Sequence, residues 1–139
     1  KGNIEKYSTQ AARLGLASLV TFTGAITSSL EEYYRSSDCL MLLSAFDTFG
    51  MVVLEAMAAG LPAVISSAVG AKDIAENQGN GRVLLSHHDR DSAADALLEL
   101  VEPEKWNNCS RAASQTARIL DWSKQAEVML GVYDALLTR

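Results

Sequence analysis

Apolar positions along the chain fall into two regimes: short unbroken runs, and longer stretches where apolar residues return every three or four positions. Asn3 to Leu14 is of the second kind, with Ile4, Tyr7, Ala11 and Leu14 on one helical face and Gly15 as its stop. Leu19 to Thr23 (L-V-T-F-T) reads as a β-branched and aromatic strand closed by Gly24. Ser29-Leu30-Glu31-Glu32 has the form of a capping box and opens a helix to about Ser36. Asp38 precedes a second run, Cys39 to Leu43, whose continuity suits a strand covered on both faces. Ala63 to Ser66 makes a third strand and Arg82 to Leu85 a fourth. Helical patterns fill the rest. They cover Gly70 to about Glu76, a helix capped by Asp91 with Ala94, Leu97, Leu98 and Val101 inward, Pro103 to about Leu120, and Trp122 to Leu137. Asn77 to Gly81 is a turn-rich loop. Strands alternating with helices predict an α/β, Rossmann-like parallel sheet of about four strands with helices on both faces. In such a sheet ligands lie outside the carboxyl ends of the strands.

The rest is organised around Ser44 to Pro62, S-A-F-D-T-F-G-M-V-V-L-E-A-M-A-A-G-L-P. Phe49 to Ala59 reads as a helix apolar almost all round, which implies burial. Gly60 supplies a left-handed C-cap and Pro62 bars continuation. Met51 and Met57 read as core filling. Glu55 is the anomaly, because a carboxylate among apolar neighbours needs a partner. Asp47 stands just before the helix, where a negative charge favours the dipole. Eight residues of helix rise roughly 12 Å. An elongated polar ligand across the helix start would touch both acids, its phosphates on the free N–H groups of Phe49, Gly50 and Met51. In the plainer alternative Asp47 is only an N-cap and Glu55 pairs with a Lys or Arg.

Composition narrows the class without naming a chemistry. The chain has 139 residues, 48% hydrophobic and 21% charged, with a net charge of −5. That is ordinary for one globular domain and argues against a nucleic-acid surface. No apolar run approaches the roughly 20 residues of a membrane span, and no signal peptide opens the chain. Cys39 and Cys109 lack metal or C-x-x-C spacing and read as reduced thiols in a cytoplasm. Asn108-Cys109-Ser110 matches a glycosylation acceptor by chance. His87-His88 invites a metal hypothesis, but neighbours point apart on a strand and no third ligand is in view, so no metal is expected.

The pattern acid-x-F-G-x-x-x-x-E-A-M-A-x-G-x-P, flanked by strands, resembles the donor-site signature of the retaining nucleotide-sugar glycosyltransferases of family 4, which have the two-domain GT-B architecture. Asp47 stands where the family usually writes Glu. L-V-T-F-T-G-A-I, S-D-C-L-M-L-L-S and D-W-S-K-Q-A-E-V-M-L-G-V-Y are similar to the family's flanking segments. So is G-A-K-D-I-A-E-N-Q-G-N-G-R-V-L-L, with Gly70-Ala71-Lys72-Asp73 in place of the common Gly-Gly-x-x-Glu. The resemblance implies that residues 1–139 are most of a C-terminal donor-binding domain. The basic first strand and the N-terminal acceptor domain would precede Lys1, which is not a Met. In tone it is nearest to lipopolysaccharide-core hexosyltransferases.

That resemblance also assigns roles. Glu55 would accept the ribose hydroxyls and Asp47 would meet the donor sugar. Backbone N–H groups of Phe49, Gly50, Met51 and Val52 would hold the sugar and distal phosphate. Gly24, Ala25 and Ile26, with Thr27, would receive the base, unless that loop is a plain strand-to-helix turn. Lys72 would help with phosphate or stay solvated. The partners implied are a UDP- or GDP-hexose donor and a saccharide or lipid-linked acceptor. No cofactor or metal is implied, and the setting is cytoplasmic, at most peripheral to the membrane. A nucleotide-sugar epimerase half-domain and a non-catalytic binding module are the competing readings.

Overall fold

The computed structural model describes residues 3–76 and 79–138. Its internal contacts divide the chain into two compact units, Lys1–Leu30 and Glu31–Arg139.

In the first unit α1 (Ile4–Arg13) is capped by Asn3, whose side chain accepts from the Lys6 N–H at 3.0 Å. Of its expected inner stripe Ala11 alone is buried, while Ile4, Tyr7 and Leu14 are exposed. Leu19 to Thr23 is not a strand. A β-branched run becomes one only when a neighbour completes the ladder, and it finds none among the described residues. Ser29, before α2 (Leu30–Arg35), stands at φ 59°, and among the described residues its side chain makes none of the bonds of the expected capping box.

Among the described residues the second unit carries a parallel sheet of three strands, not the expected four or so, in the order β1 (Leu40–Leu42), β2 (Ala63–Ser66), β3 (Gly81–Leu84). Leu40 pairs with Ala63 and Ala63 with Gly81, each strand in register with its neighbour. All of β2 is buried, and its side chains alternate between two cores. Ala63 and Ile65 pack with Val53 and Met57 of α3 (Met51–Ala58), Ala75 of α4 (Lys72–Glu76) and Ala113 of α6 (Pro103–Ile119). Val64 faces the other way, onto Leu84 and onto Ala93 and Ala96 of α5 (Arg90–Leu100). Two like-handed crossovers from neighbouring strands must fall on one face, and α3 and α4 do so. Helices thus cover both faces, as the unbroken apolar runs required.

Several boundaries and faces differ from expectation. Helix α3 begins at Met51 rather than Phe49. Its end is as expected: Gly60, at φ 85°, donates to Met57 O at 3.0 Å and Leu61 to Ala56 O at 2.9 Å, the two bonds of a Schellman cap. Only Val53, Ala56 and Met57 of α3 are buried, so this helix is half-exposed. Met57 fills the core, but Met51 is 43% exposed. Helix α5 is capped by Asp89, which takes the Ser92 N–H at 3.1 Å and the Ser92 hydroxyl at 2.8 Å, not by Asp91. Its inner face is Ala93, Ala96 and Leu100, whereas Leu98 and Val101 are 66% and 74% exposed. Small residues sit where α5 approaches the sheet, and they displace the larger ones outward. Helix α7 (Trp122–Leu137) buries none of its residues.

Asn80 locks α6 to this sheet. Fully buried, its amide donates to Ile74 O at 2.9 Å and to Thr116 Oγ1 at 2.8 Å. Asn77 and Gln78 of the expected loop lie outside the described residues.

Candidate functional site

Two loops leave the carboxyl ends of β1 and β2 and are stitched together. The Asp47 N–H donates to Ala68 O at 3.1 Å, Gly70 N–H to Asp47 O at 3.1 Å, and Ala71 N–H to Phe49 O at 2.7 Å. The result is a single parallel bridge between Asp47 and Val69 beyond the sheet. The Ser66 hydroxyl donates to Ser44 O at 2.6 Å, bracing the same rim. This close approach needs two glycines. A Cβ on Gly70 would stand 2.2 Å from Thr48 O. Gly50 is at φ 84°, and a Cβ there would lie 2.8 Å from Val69 Cγ1. The space above Gly50 is therefore filled by this chain's own valine, not left open to a ligand.

Asp47 is half-buried in this turn, and its Oδ1 accepts the Phe49 N–H at 3.2 Å. This is an Asx-type turn ahead of the helix. It engages one of the N–H groups expected to be free. No side chain caps α3, whose N-cap is Gly50. The N–H groups of Gly50, Met51 and Val52 have no backbone acceptor outside the helix among the described residues. Asp47 lines a shallow hollow of about 320 Å3 with Phe46, Thr48, Ser67, Gly70 and the half-buried Lys72.

Glu55 is not embedded among apolar neighbours. It sits on the exposed side of α3 and borders a different hollow, of about 350 Å3, with Glu31, Tyr34, Arg35, Ala58 and Ala59. Its partner is neither Lys nor Arg: the Tyr34 hydroxyl donates to Glu55 Oε2 at 3.0 Å. Arg35 instead pairs with Glu31 at 2.6 Å. Burial, then the hydrogen bond to Glu55 and its negative charge, push the Tyr34 hydroxyl up to about 12. Tyr34 was missed in the sequence. Its one signal is four-residue spacing from Leu30 on a short helix otherwise made of charged residues and a second tyrosine.

Phe49 and Met51 face a third, apolar hollow of about 240 Å3, with Leu54, Ile74, Leu120 and Trp122. In the first unit Gly24 has φ 69°, Gly24 and Ala25 are exposed and Ile26 is half-buried. His87 and His88 do not point apart: they follow β3 in a loop, and their ring centroids are 3.8 Å from each other. No group of three possible metal ligands occurs among the described residues. Both cysteines are free, and burial pushes the Cys39 thiol up to about 11. No helix among the described residues is long and apolar enough to cross a membrane.

Known proteins resemble this chain in sequence and in fold. The chain is 33% identical over 130 residues to a D-inositol 3-phosphate glycosyltransferase of Streptomyces griseus, covering 92% of this chain and 27% of that protein. It is 36% identical over 132 residues to the enzyme of the same name from Stackebrandtia nassauensis, covering 93% and 29%. The chain thus spans less than a third of the length of these relatives. Among solved structures, sucrose-phosphate synthase from Thermosynechococcus elongatus superposes with a TM-score of 0.82 at 25% identity, over 96% of this chain and 34% of that one. WaaG, a glycosyltransferase involved in lipopolysaccharide biosynthesis, superposes at 0.76 and 23% identity over 82% and 31%, a likeness of fold. Both neighbours are GT-B proteins. Residues 1–118 match the model of the family described as glycosyl transferases group 1, and to that family the chain belongs.

Proposed function

We propose that the chain is the donor-binding part of an enzyme that moves a hexose from UDP or GDP to an acceptor hydroxyl, with retention at the anomeric carbon. The observation that carries this reading is the Asp47 turn. It presents a carboxylate at the carboxyl rim of a parallel sheet, in a hollow shared with Lys72 and within the family match. Asp47 meets hydroxyls of the donor sugar. The N–H groups of Gly50, Met51 and Val52 take the sugar and distal phosphate, helped by the helix dipole. Lys72 adds positive charge beside them. Glu55 accepts the ribose hydroxyls, a task suited to a carboxylate because it binds two O–H groups with charge-assisted bonds.

Charge separates as the sugar leaves, and these groups stabilise it electrostatically without a metal. The acceptor binds to a further domain of the whole protein, which works in the cytoplasm or at the inner face of the membrane. The relatives' name favours a phosphorylated cyclitol as acceptor over a lipopolysaccharide core sugar. Calorimetry with UDP, GDP and their glucose and mannose conjugates tests the reading. Heat from one nucleotide series is expected, reduced in Glu55→Ala and, for the sugar conjugates, in Asp47→Ala. Equal heats from wild type and Glu55→Ala would remove the ribose assignment. Interconversion of sugar nucleotides without net transfer by the whole protein would replace the reaction by epimerisation.

A further inference from the structure

Glu55 stands on an exposed helix face, where a long side chain samples many rotamers, and the Tyr34 hydroxyl holds it by Oε2 at 3.0 Å. Tyr34 comes from another helix, 21 residues earlier, and is itself half-buried, so the anchor is firmer than the group it holds. The cation beside this hollow, Arg35, is drawn away to Glu31 at 2.6 Å. Glu55 Oε1 accepts from no protein donor among the described residues. The type of partner matters. A guanidinium would take both carboxylate oxygens side by side and compete with a diol for them. A hydroxyl takes one lone pair of about four and leaves the negative charge in place.

We propose that Tyr34 is a positioning residue, whose hydroxyl fixes Glu55 Oε2 so that Oε1 is presented to the adjacent hydroxyls of a nucleoside ribose. The inference rests on the reading of Glu55 as the ribose acceptor and adds the group that orients it. Burial and the Glu55 charge keep the Tyr34 hydroxyl protonated well above neutral pH, so it remains a donor under working conditions.

The test is calorimetric titration of UDP, GDP and their 2′-deoxy counterparts into wild type, Tyr34→Phe, Glu55→Gln and the double variant. Tyr34→Phe is expected to weaken the ribonucleotide by about three- to tenfold, the range of one ordinary hydrogen bond, because the tyrosine acts on the ligand only through Glu55. It is expected to change the 2′-deoxy nucleotide less and to add nothing to Glu55→Gln. A merely structural tyrosine would weaken both nucleotides, and would do so in either background. That outcome, or wild-type binding by Tyr34→Phe while Glu55→Gln is impaired, overturns the positioning role and leaves the ribose assignment standing. Wild-type binding by Glu55→Gln, or no nucleotide binding by any form, removes the assignment and the positioning role with it. Should Tyr34→Phe not fold, Glu55→Asp withdraws the acid from the tyrosine by one methylene and is expected to show the same selective loss.

Discussion

Gly70 lies so close to Thr48 that a Cβ on the glycine would be 2.2 Å from the threonine carbonyl oxygen. The neighbour is backbone, which cannot rotate aside. Gly70→Ala should therefore part the two rim loops and cost about 1–3 kcal/mol, the usual penalty for overpacking. Denaturant unfolding measures it. An unchanged midpoint would mean that the two loops separate freely.

Asp47 has a structural task separable from its proposed chemical one. Asp47→Ala removes the acceptor for the Phe49 N–H and should cost about 1 kcal/mol, as loss of one side-chain-to-backbone hydrogen bond does. Asp47→Asn retains an acceptor oxygen and should restore that stability without restoring sugar-conjugate binding. Paired thermal melts and titrations check this. Full binding by Asp47→Asn would show that the charge is dispensable.

Tyr34 ties stability to alkaline pH. Its hydroxyl, ordinarily near 10, is held at about 12 by burial, then by the Glu55 hydrogen bond and charge. The folded state prefers the protonated form, so this contribution is complete below about pH 10 and is lost as pH rises toward 12. Titrating the ultraviolet absorbance of tyrosinate should show one late-ionising tyrosine, which moves earlier in Glu55→Gln but not all the way, because burial is the larger cause.

The buried Asn80 amide bridges α4 and α6. Asn80→Ala would remove the donor to both the Ile74 carbonyl and Thr116 Oγ1, at a cost of about 1–3 kcal/mol in unfolding free energy. Asn80→Asp should fare worse, since it loses the donors and adds a buried charge.

Burial also sets the reactivity of Cys39. With its thiol held up at about 11, little thiolate exists at neutral pH. Alkylation of Cys39 in the native protein should be slow and should accelerate on unfolding, as mass spectrometry after timed quenching would show.

The central architecture could be read from residue order. The unbroken runs around β1 and β2, Gly60 with Pro62, and Asp47 ahead of a helix each carry local signals, and each stands where expected. What escaped depends on neighbours. Helix α3 is so uniformly apolar that periodicity could not say which side meets the sheet, and Glu55 was taken for a buried acid though its side is open. On α5 the large Leu97 and Leu98 promised an inner face, but the close approach to β2 selected Ala93 and Ala96. Leu19 to Thr23 has strand composition but no ladder partner among the described residues. The meeting of Tyr34 and Glu55, 21 residues apart on different helices, follows from packing that no local pattern encodes.

The bridge between Asp47 and Val69 has a further effect, on the timing of solvent access. The amide protons of Asp47, Gly70 and Ala71 each close a bond between the same two loops. None can open far without loosening the others, so they should exchange with deuterium as one cooperative group, and an occupant seated on either loop should slow all three together.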